Sequence, residues 1–188
     1  MWQQNELIDI DEVNIGILGL GNLGKVSAKK LTLNGFNVNG WSRNQTNLEG
    51  VNCFFGITGL KEILKVSDIL VCLLALTDET HNLLNYENLN LLPEGSSLIN
   101  FSRGQIVDDN ALLKHLDSGH IKHAVLDVFN IEPLPKDSRL WGAPKITILP
   151  HISAPTNITT ASKLVVNNLL EYFDNGKIPK TVERKRGY

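Results

Sequence analysis

Val13-Asn14-Ile15-Gly16-Ile17-Leu18-Gly19-Leu20-Gly21-Asn22-Leu23-Gly24 is the stretch that decides the fold. Its first half, Val13 to Leu18, is an apolar run that reads as a buried strand. Gly19 to Gly24 then spells G-x-G-x-x-G. Leu23 to Leu33 reads as a helix with apolar Leu23, Val26 and Leu31, closed by Asn34-Gly35. A lone glycine motif is weak, and a glycine-rich turn in any α/β domain is its plainer reading. Placed directly after a strand and at the opening of a helix, it matches a dinucleotide-binding turn. Gly19 permits the tight turn, Gly21 lets the backbone approach a pyrophosphate, and Gly24 lets the helix pack close on the strand. The helix N-terminus offers free N–H groups and a partial positive charge to the phosphates.

Outward from this motif the same alternation continues. Strands are expected at Phe36 to Trp41, Ile69 to Leu74, Ser97 to Asn100, Ala124 to Val128 and Ile146 to Leu149. Helices are expected at Leu60 to Val66, Leu83 to Leu92, Asn110 to Leu116 and Thr159 to Phe173, the last ended by Asn175-Gly176. Arg43 to Val51 and Asn130 to Lys145 read as loops. Continuous apolar strands separated by helices imply a parallel sheet covered on both faces, a doubly wound α/β (Rossmann-type) fold. The expected organisation is a short linker remnant over residues 1–12, a dinucleotide-binding domain over 13–176 and a tail over 177–188.

Composition narrows the rest. The chain has 188 residues, enough for one domain with its own core. Hydrophobic residues are 42% and charged residues 20%, which is globular composition. Eighteen basic residues against twenty acidic ones leave a net charge of −2, which argues against nucleic-acid or membrane binding through bulk charge. No apolar run approaches the roughly 18 residues of a membrane span, and Met1 to Asp11 lacks an apolar leader core, so a cytoplasmic protein is expected. Cys53 and Cys72 lie in apolar surroundings and read as reduced core thiols; no metal site is expected.

The end of the second strand selects the nucleotide. NAD-binding versions of this turn place an acid there, about 20 residues on, for the ribose hydroxyls. Here Trp41-Ser42-Arg43 occupies that place, with no acid before Glu49. Ser42 can hydrogen-bond a 2′-phosphate and Arg43 can pair with it, so NADP(H) is expected ahead of NAD(H). A solvated loop arginine is the alternative.

Three segments at the carboxyl ends of strands look chemical: Asn100-Phe101-Ser102-Arg103-Gly104, Asp127 to Pro133, and Pro150-His151-Ile152-Ser153-Ala154. Ligands bind at that edge of open α/β sheets. The residue types suit reduction of a 2-oxo acid. Arg103 can hold a carboxylate and polarise a carbonyl. A protonated His151 can give its proton to the oxygen that becomes a hydroxyl. Glu132 beside it would favour the imidazolium. Taken singly, each residue reads as a surface ion pair, a loop acid or a structural histidine. His81, His115, His120 and His123 keep that structural reading, on helix faces or turns.

Together these segments resemble the nucleotide-binding half of the D-isomer-specific 2-hydroxyacid dehydrogenases. The ordered set is Gly19 to Gly24, Leu74 to Thr80 with Asn82 to Asn85, Asn100 to Gly104, Asp127 to Pro133 and Pro150 to Ala154. Within the family the chain is most similar to the glyoxylate/hydroxypyruvate reductase A group, through Trp41 to Arg43, Leu112 to Gly119, Leu126 to Pro135, Leu140-Trp141 and the ending Val182 to Tyr188. The resemblance implies that Arg103 binds substrate, His151 is the general acid/base and Glu132 its partner. It implies that Asp127 bonds the nicotinamide carboxamide and that the Asn22 and Leu23 amides meet the pyrophosphate. Leu74 and Ala75 would line the adenosine side, with Phe101, Ser102, Ser153 and Ala154 near the nicotinamide. It also implies a homodimer acting on a small 2-oxo or 2-hydroxy acid. Ala75 stands where many relatives have Pro. Ala154 to Asn157 lacks an arginine that close relatives carry nearby, which bears on substrate preference.

Family members carry a substrate domain of about 100 residues or more ahead of this one. The resemblance therefore leaves three readings open: a reductase represented by its cofactor domain, a dinucleotide-binding module without turnover, and half of a split enzyme whose substrate domain is another chain. A methyltransferase reading of the glycine loop is weaker, because it wants an acid where Ser42-Arg43 stands.

Overall fold

The computed structural model describes residues 9–179 and residue 181. The start of the expected linker and the Val182 to Tyr188 ending lie outside the described residues. Seven strands form one sheet: β1 (Asn14–Leu18), β2 (Asn37–Ser42), β3 (Asn52–Phe55), β4 (Ile69–Cys72), β5 (Ser96–Asn100), β6 (Ile121–Leu126) and β7 (Ile146–Ile148). Their order is β3-β2-β1-β4-β5-β6-β7, and every neighbouring pair is parallel. The order reverses between β1 and β4, so their carboxyl ends open a crevice.

Among the described residues four α-helices lie between strands, α1 (Asn22–Leu33), α2 (Gly56–Lys65), α3 (Tyr86–Leu89) and α4 (Asp109–Ser118), and a fifth, α5 (Ile158–Asn175), follows β7. Strand alternation divides the core in two. Leu18, Trp41, Leu70, Cys72, Leu98, Ala124 and Leu126 point to the face that also gathers Leu60, Ile63 and Leu64 of α2 and Leu112 and Leu116 of α4. Ile15, Ile17 and Val38 point the other way, where Ala28 of α1 joins them. Both cysteines are free, Cys72 buried and Cys53 partly so. Among the described residues no helix is long and apolar enough to cross a membrane.

Several local expectations change. Asn52–Phe55, directly after the expected Arg43 to Val51 loop, is an edge strand paired with β2 from Asn39 to Ser42, where no element is expected. Its four residues are too few to show a period. The helix expected over Leu83 to Leu92 shrinks to one turn. Leu84 is held by the chain beside it, donating to the Ile106 carbonyl at 2.9 Å and accepting from the Asp108 amide at 3.1 Å. Asn85 then caps a fresh start, its side chain accepting from the Asn88 amide. α2 begins at Gly56 and β6 at Ile121, both earlier than expected. In α1 the apolar positions do not set the packing face: Leu23 and Val26 are exposed, and Gly24 and Ala28 are buried. Small residues bring this helix axis close to the sheet. His123 lies on β6, neither on a helix nor in a turn, and its ring reaches the Thr147 hydroxyl at 2.9 Å.

Candidate functional site

The glycine turn sits at the β1 end of the crevice. Gly19 has φ 105°, and a side chain there would also put its Cβ 2.8 Å from the Leu73 carbonyl oxygen. A Cβ on Gly24 would lie 1.8 Å from the Gly19 carbonyl oxygen, so helix and turn are in backbone contact. Gly21 faces open space, with nothing within 4 Å of a built Cβ. No side chain caps α1 and its first turn holds no acid, which leaves its N-terminal amides and positive dipole end facing the cleft.

Beside the turn lies a cleft of about 840 Å³, walled by Trp41, Leu60, Leu73, Leu74 and Ala75 among others. Ser42 and Arg43 stand at its rim. The Ser42 hydroxyl donates to the Asn44 carbonyl at 2.7 Å and lies 3.1 Å from the Thr46 hydroxyl, so it shapes the loop. Arg43 Nη1 donates to Glu79 Oε2 at 2.8 Å, an ion pair across the rim. The turn carrying Glu79 is held by Thr80, whose hydroxyl donates to the Ala75 carbonyl and accepts from the Thr77 amide, each at 2.8 Å. Open glycine backbone, uncapped amides, an apolar slot and an arginine at the rim together fit a dinucleotide phosphate and its adenosine.

The three chemical segments meet farther along the same edge. Asn100 ends β5 and is 1% exposed, so its amide must be satisfied internally. Its Oδ1 accepts from the Ser102 amide and hydroxyl, and its Nδ2 donates to the Arg103 carbonyl at 3.0 Å. That knot sets the turn from which Arg103 projects. The Ser102 hydroxyl therefore points inward, 3.2 Å from Cys72 Sγ; burial pushes that thiol's pKa up. Phe101 is half-buried, its amide donating to the Cys72 carbonyl at 3.2 Å. Gly104 packs against the next loop: a Cβ there would lie 2.0 Å from the Phe129 carbonyl carbon. Only glycine lets the Arg103 turn and the Glu132 loop approach so closely.

Glu132 and His151 are paired. His151 Nδ1 lies 2.7 Å from Glu132 Oε2, and Glu132 Oε1 accepts from the Phe129 amide at 2.9 Å. The hydrogen bond to His151 is the main cause holding the Glu132 carboxyl below its ordinary pKa. Partial burial opposes this; the Phe129 amide and the charges of His151 and Arg103 assist it. Arg103 is thus within electrostatic reach of the pair.

Asp127, 3% exposed, fixes the backbone beside the histidine. Its Oδ1 accepts from the Ile152 amide at 2.8 Å and its Oδ2 from the Ser153 amide at 3.0 Å. Burial pushes this carboxyl up. The Ser153 and Ile152 amides, the Ser153 hydroxyl and the charge of His151 outweigh it, so its pKa lies below the ordinary value. His151 itself has φ 54°, a left-handed backbone held by these two bonds just after it. Ser153 and Ala154 follow on an exposed segment leading to α5.

The fold thus gathers Arg103, Glu132, His151 and Asp127 at one end of the edge. Gly19, Gly21, Ser42, Arg43, Leu74 and Ala75 line the cleft at the other. Asn100, Gly104 and Glu79 lie in the segments singled out above, but the sequence assigns them no role of their own. An asparagine closing an apolar strand, and a glycine directly after the chemical arginine, are the signals it offered.

The family model for the D-isomer specific 2-hydroxyacid dehydrogenase NAD-binding domain matches residues 1–153. The chain belongs to the D-isomer specific 2-hydroxyacid dehydrogenases. It is similar to a member of that family from Xanthobacter autotrophicus Py2, solved with NADPH and MES. That match has 41% identity and a TM-score of 0.95, covering 100% of this chain and 77% of that one. It is also similar to the NADPH-dependent glyoxylate/hydroxypyruvate reductase of Sinorhizobium meliloti, solved with NADP and sulfate. Here identity is 34% and the TM-score 0.92, over 100% of this chain and 60% of that one. A probable 2-hydroxyacid dehydrogenase of Rhizobium etli CFN 42, solved with NADP, HEPES and L(+)-tartaric acid, matches at 32% identity and TM-score 0.92, again with 60% of its length covered. Family members are NAD(P)-dependent 2-hydroxyacid dehydrogenases, and the chain shares their NAD-binding fold.

Proposed function

We propose that this chain is the cofactor-binding part of an NADP(H)-dependent reductase that converts a small 2-oxo acid, of the glyoxylate or hydroxypyruvate type, to the 2-hydroxy acid. The observation that carries the reading is the 2.7 Å Glu132–His151 pair, with the Arg103 charge bearing on the same carboxylate. In this reading Arg103 grips the substrate carboxylate and leans on its carbonyl oxygen. Glu132 accepts a hydrogen bond from the Nδ1–H and fixes the ring, so that Nε2 holds the proton destined for that oxygen. The bound dihydronicotinamide supplies the hydride. Asp127 keeps unused lone pairs beyond its two backbone bonds, enough to accept the carboxamide N–H as well. The amides of Asn22 and Leu23 receive the pyrophosphate, Leu74 and Ala75 flank the adenosine, and Ser42 and Arg43 take the 2′-phosphate. Phe101, Ser102, Ser153 and Ala154 border the nicotinamide, Ser102 through its backbone.

Residues 13–176 form the dinucleotide-binding unit of this reading, with residues 1–12 as linker and 177–188 as tail. By family habit the protein is a homodimer, and its composition suits the cytoplasm. The apolar side chains that α5 exposes, Leu164, Leu169 and Phe173 among them, are the surface we assign to a substrate-binding part. A second reading, a dinucleotide-binding module without turnover of its own, is favoured by one observation. The His151 and Glu132 side chains are 52% and 37% exposed, so water reaches the pair. The deciding experiment is NADPH oxidation by the purified chain with glyoxylate, against an NADH control. Turnover abolished by His151→Ala supports the reductase. NADPH binding with no turnover supports the second reading.

A further inference from the structure

No acid ends β2, yet the fold brings one there from elsewhere. Glu79 lies in the turn after β4, 36 residues from Arg43, and its carboxylate sits 2.8 Å from Arg43 Nη1. Among the described residues, Arg43 and Glu79 are the only charged residues lining the 840 Å³ cleft. The cation assigned to the 2′-phosphate therefore meets its ligand already partly neutralised.

We propose that Glu79 is a specificity-determining residue: its carboxylate competes with the 2′-phosphate of NADP(H) for Arg43, and so holds the preference for NADP(H) over NAD(H) below what Arg43 alone would give. The inference rests on the reading that Arg43 receives the 2′-phosphate. The Arg43 and Glu79 side chains are 39% and 67% exposed, so the pair is weak and a ligand can displace it. A phosphate monoester carries close to two negative charges at neutral pH. It attracts the guanidinium more strongly than a carboxylate does, and the carboxylate it displaces still repels it from a few ångströms away. At that separation salt screens little, because the Debye length is about 8 Å at physiological ionic strength. NADH brings a neutral ribose hydroxyl to the same place. A hydroxyl can donate to Glu79 and gains nothing from its removal. The carboxylate thus opposes one cofactor and does not oppose the other.

The test is calorimetric titration of the chain with NADPH, NADH, 2′,5′-ADP and 5′-AMP, for the wild type, Glu79→Gln and Arg43→Gln. Glu79 is on the surface, so its amide leaves the fold intact. Glu79→Gln is expected to tighten NADPH and 2′,5′-ADP by about two- to fivefold, which is the scale of an exposed charge contact. NADH and 5′-AMP should shift by less than about twofold, and raising the salt toward about 1 M, where the Debye length falls to about 3 Å, should shrink the gain. Weaker NADPH binding in Glu79→Gln would mean that the carboxylate orients Arg43, and would overturn the proposal; so would equal shifts for both cofactors. Arg43→Gln separates that failure from a deeper one. Loss of NADPH affinity alone in Arg43→Gln keeps the 2′-phosphate at Arg43, whatever Glu79 does. No loss in Arg43→Gln overturns both.

Discussion

On the sheet face covered by α2, α3 and α4, Leu70, Leu98, Leu112 and Ile121 expose nothing to solvent. On the opposite face one row of paired residues runs Ile17, Val71, Ile99, Val125, Thr147 across five strands. It begins fully buried beneath α1 and ends exposed at Thr147. The cofactor cleft draws Trp41, Leu60 and Leu74 from the closed side. His151 begins a run, 151–160, in which every residue is exposed, and no residue of α5 is buried. The contrast teaches that this chain's own core builds the half of the site proposed for the adenosine. The reacting half rests on polar knots: Asn100 under Arg103, and Asp127 under His151.

Stability measurements can break or sharpen this contrast. Leu112→Ala on the closed face should cost about 3 kcal/mol in urea unfolding, in the range for a fully buried leucine. Val125→Ala on the open face should cost about 1 kcal/mol, since it removes less buried surface. Equal costs would mean that the two faces are equally packed. Phe173→Ser on α5 should change the unfolding free energy by less than about 0.5 kcal/mol, as exposed substitutions do. A larger loss would show that α5 is covered in solution.

The smallest effect concerns His115, buried on α4 with its ring stacked 4.5 Å from that of Tyr86 and tilted 5.0 Å from His120. Burial is the main cause that lowers its pKa; the Tyr86 carbonyl opposes this and His120 reinforces it. The folded state therefore resists protonating a ring that the unfolded chain protonates readily. Stability should be full above the unfolded histidine value of about 6.5 and fall as the pH drops below it. His115→Gln should flatten that slope, and an unchanged slope would remove His115 as its source.

Much of this was legible in the sequence, for physical reasons. A strand, three glycines and a helix in register leave few other folds, and Arg103, Glu132 and His151 each follow an apolar run that ends at the ligand-binding edge. What stayed hidden depends on contacts between distant segments. β3 is four residues long and gains its identity only by pairing with β2. Leu84 leaves the helical pattern because Ile106 and Asp108 take its backbone. Leu23 and Val26 suggest a packing face, but close approach of α1 favours Gly24 and Ala28 instead. Glu79 comes to Arg43 only through the topology, which brings the turn after β4 to the rim beside β2.

Trp41 forms a wall of the cleft, 7% exposed, with its indole N–H donating to the Gly56 carbonyl at 2.9 Å. An indole fixed in that way emits from one environment. A reduced nicotinamide bound nearby absorbs where tryptophan emits, so occupancy of the cleft is written into the protein's own fluorescence. Of the other two tryptophans, Trp141 is 55% exposed and Trp2 lies outside the described residues. Trp141→Phe leaves the cleft wall untouched, because Trp141 does not line the cleft, and keeps Trp41 as the reporter there. Cofactor arrival can then be timed with no label and no turnover.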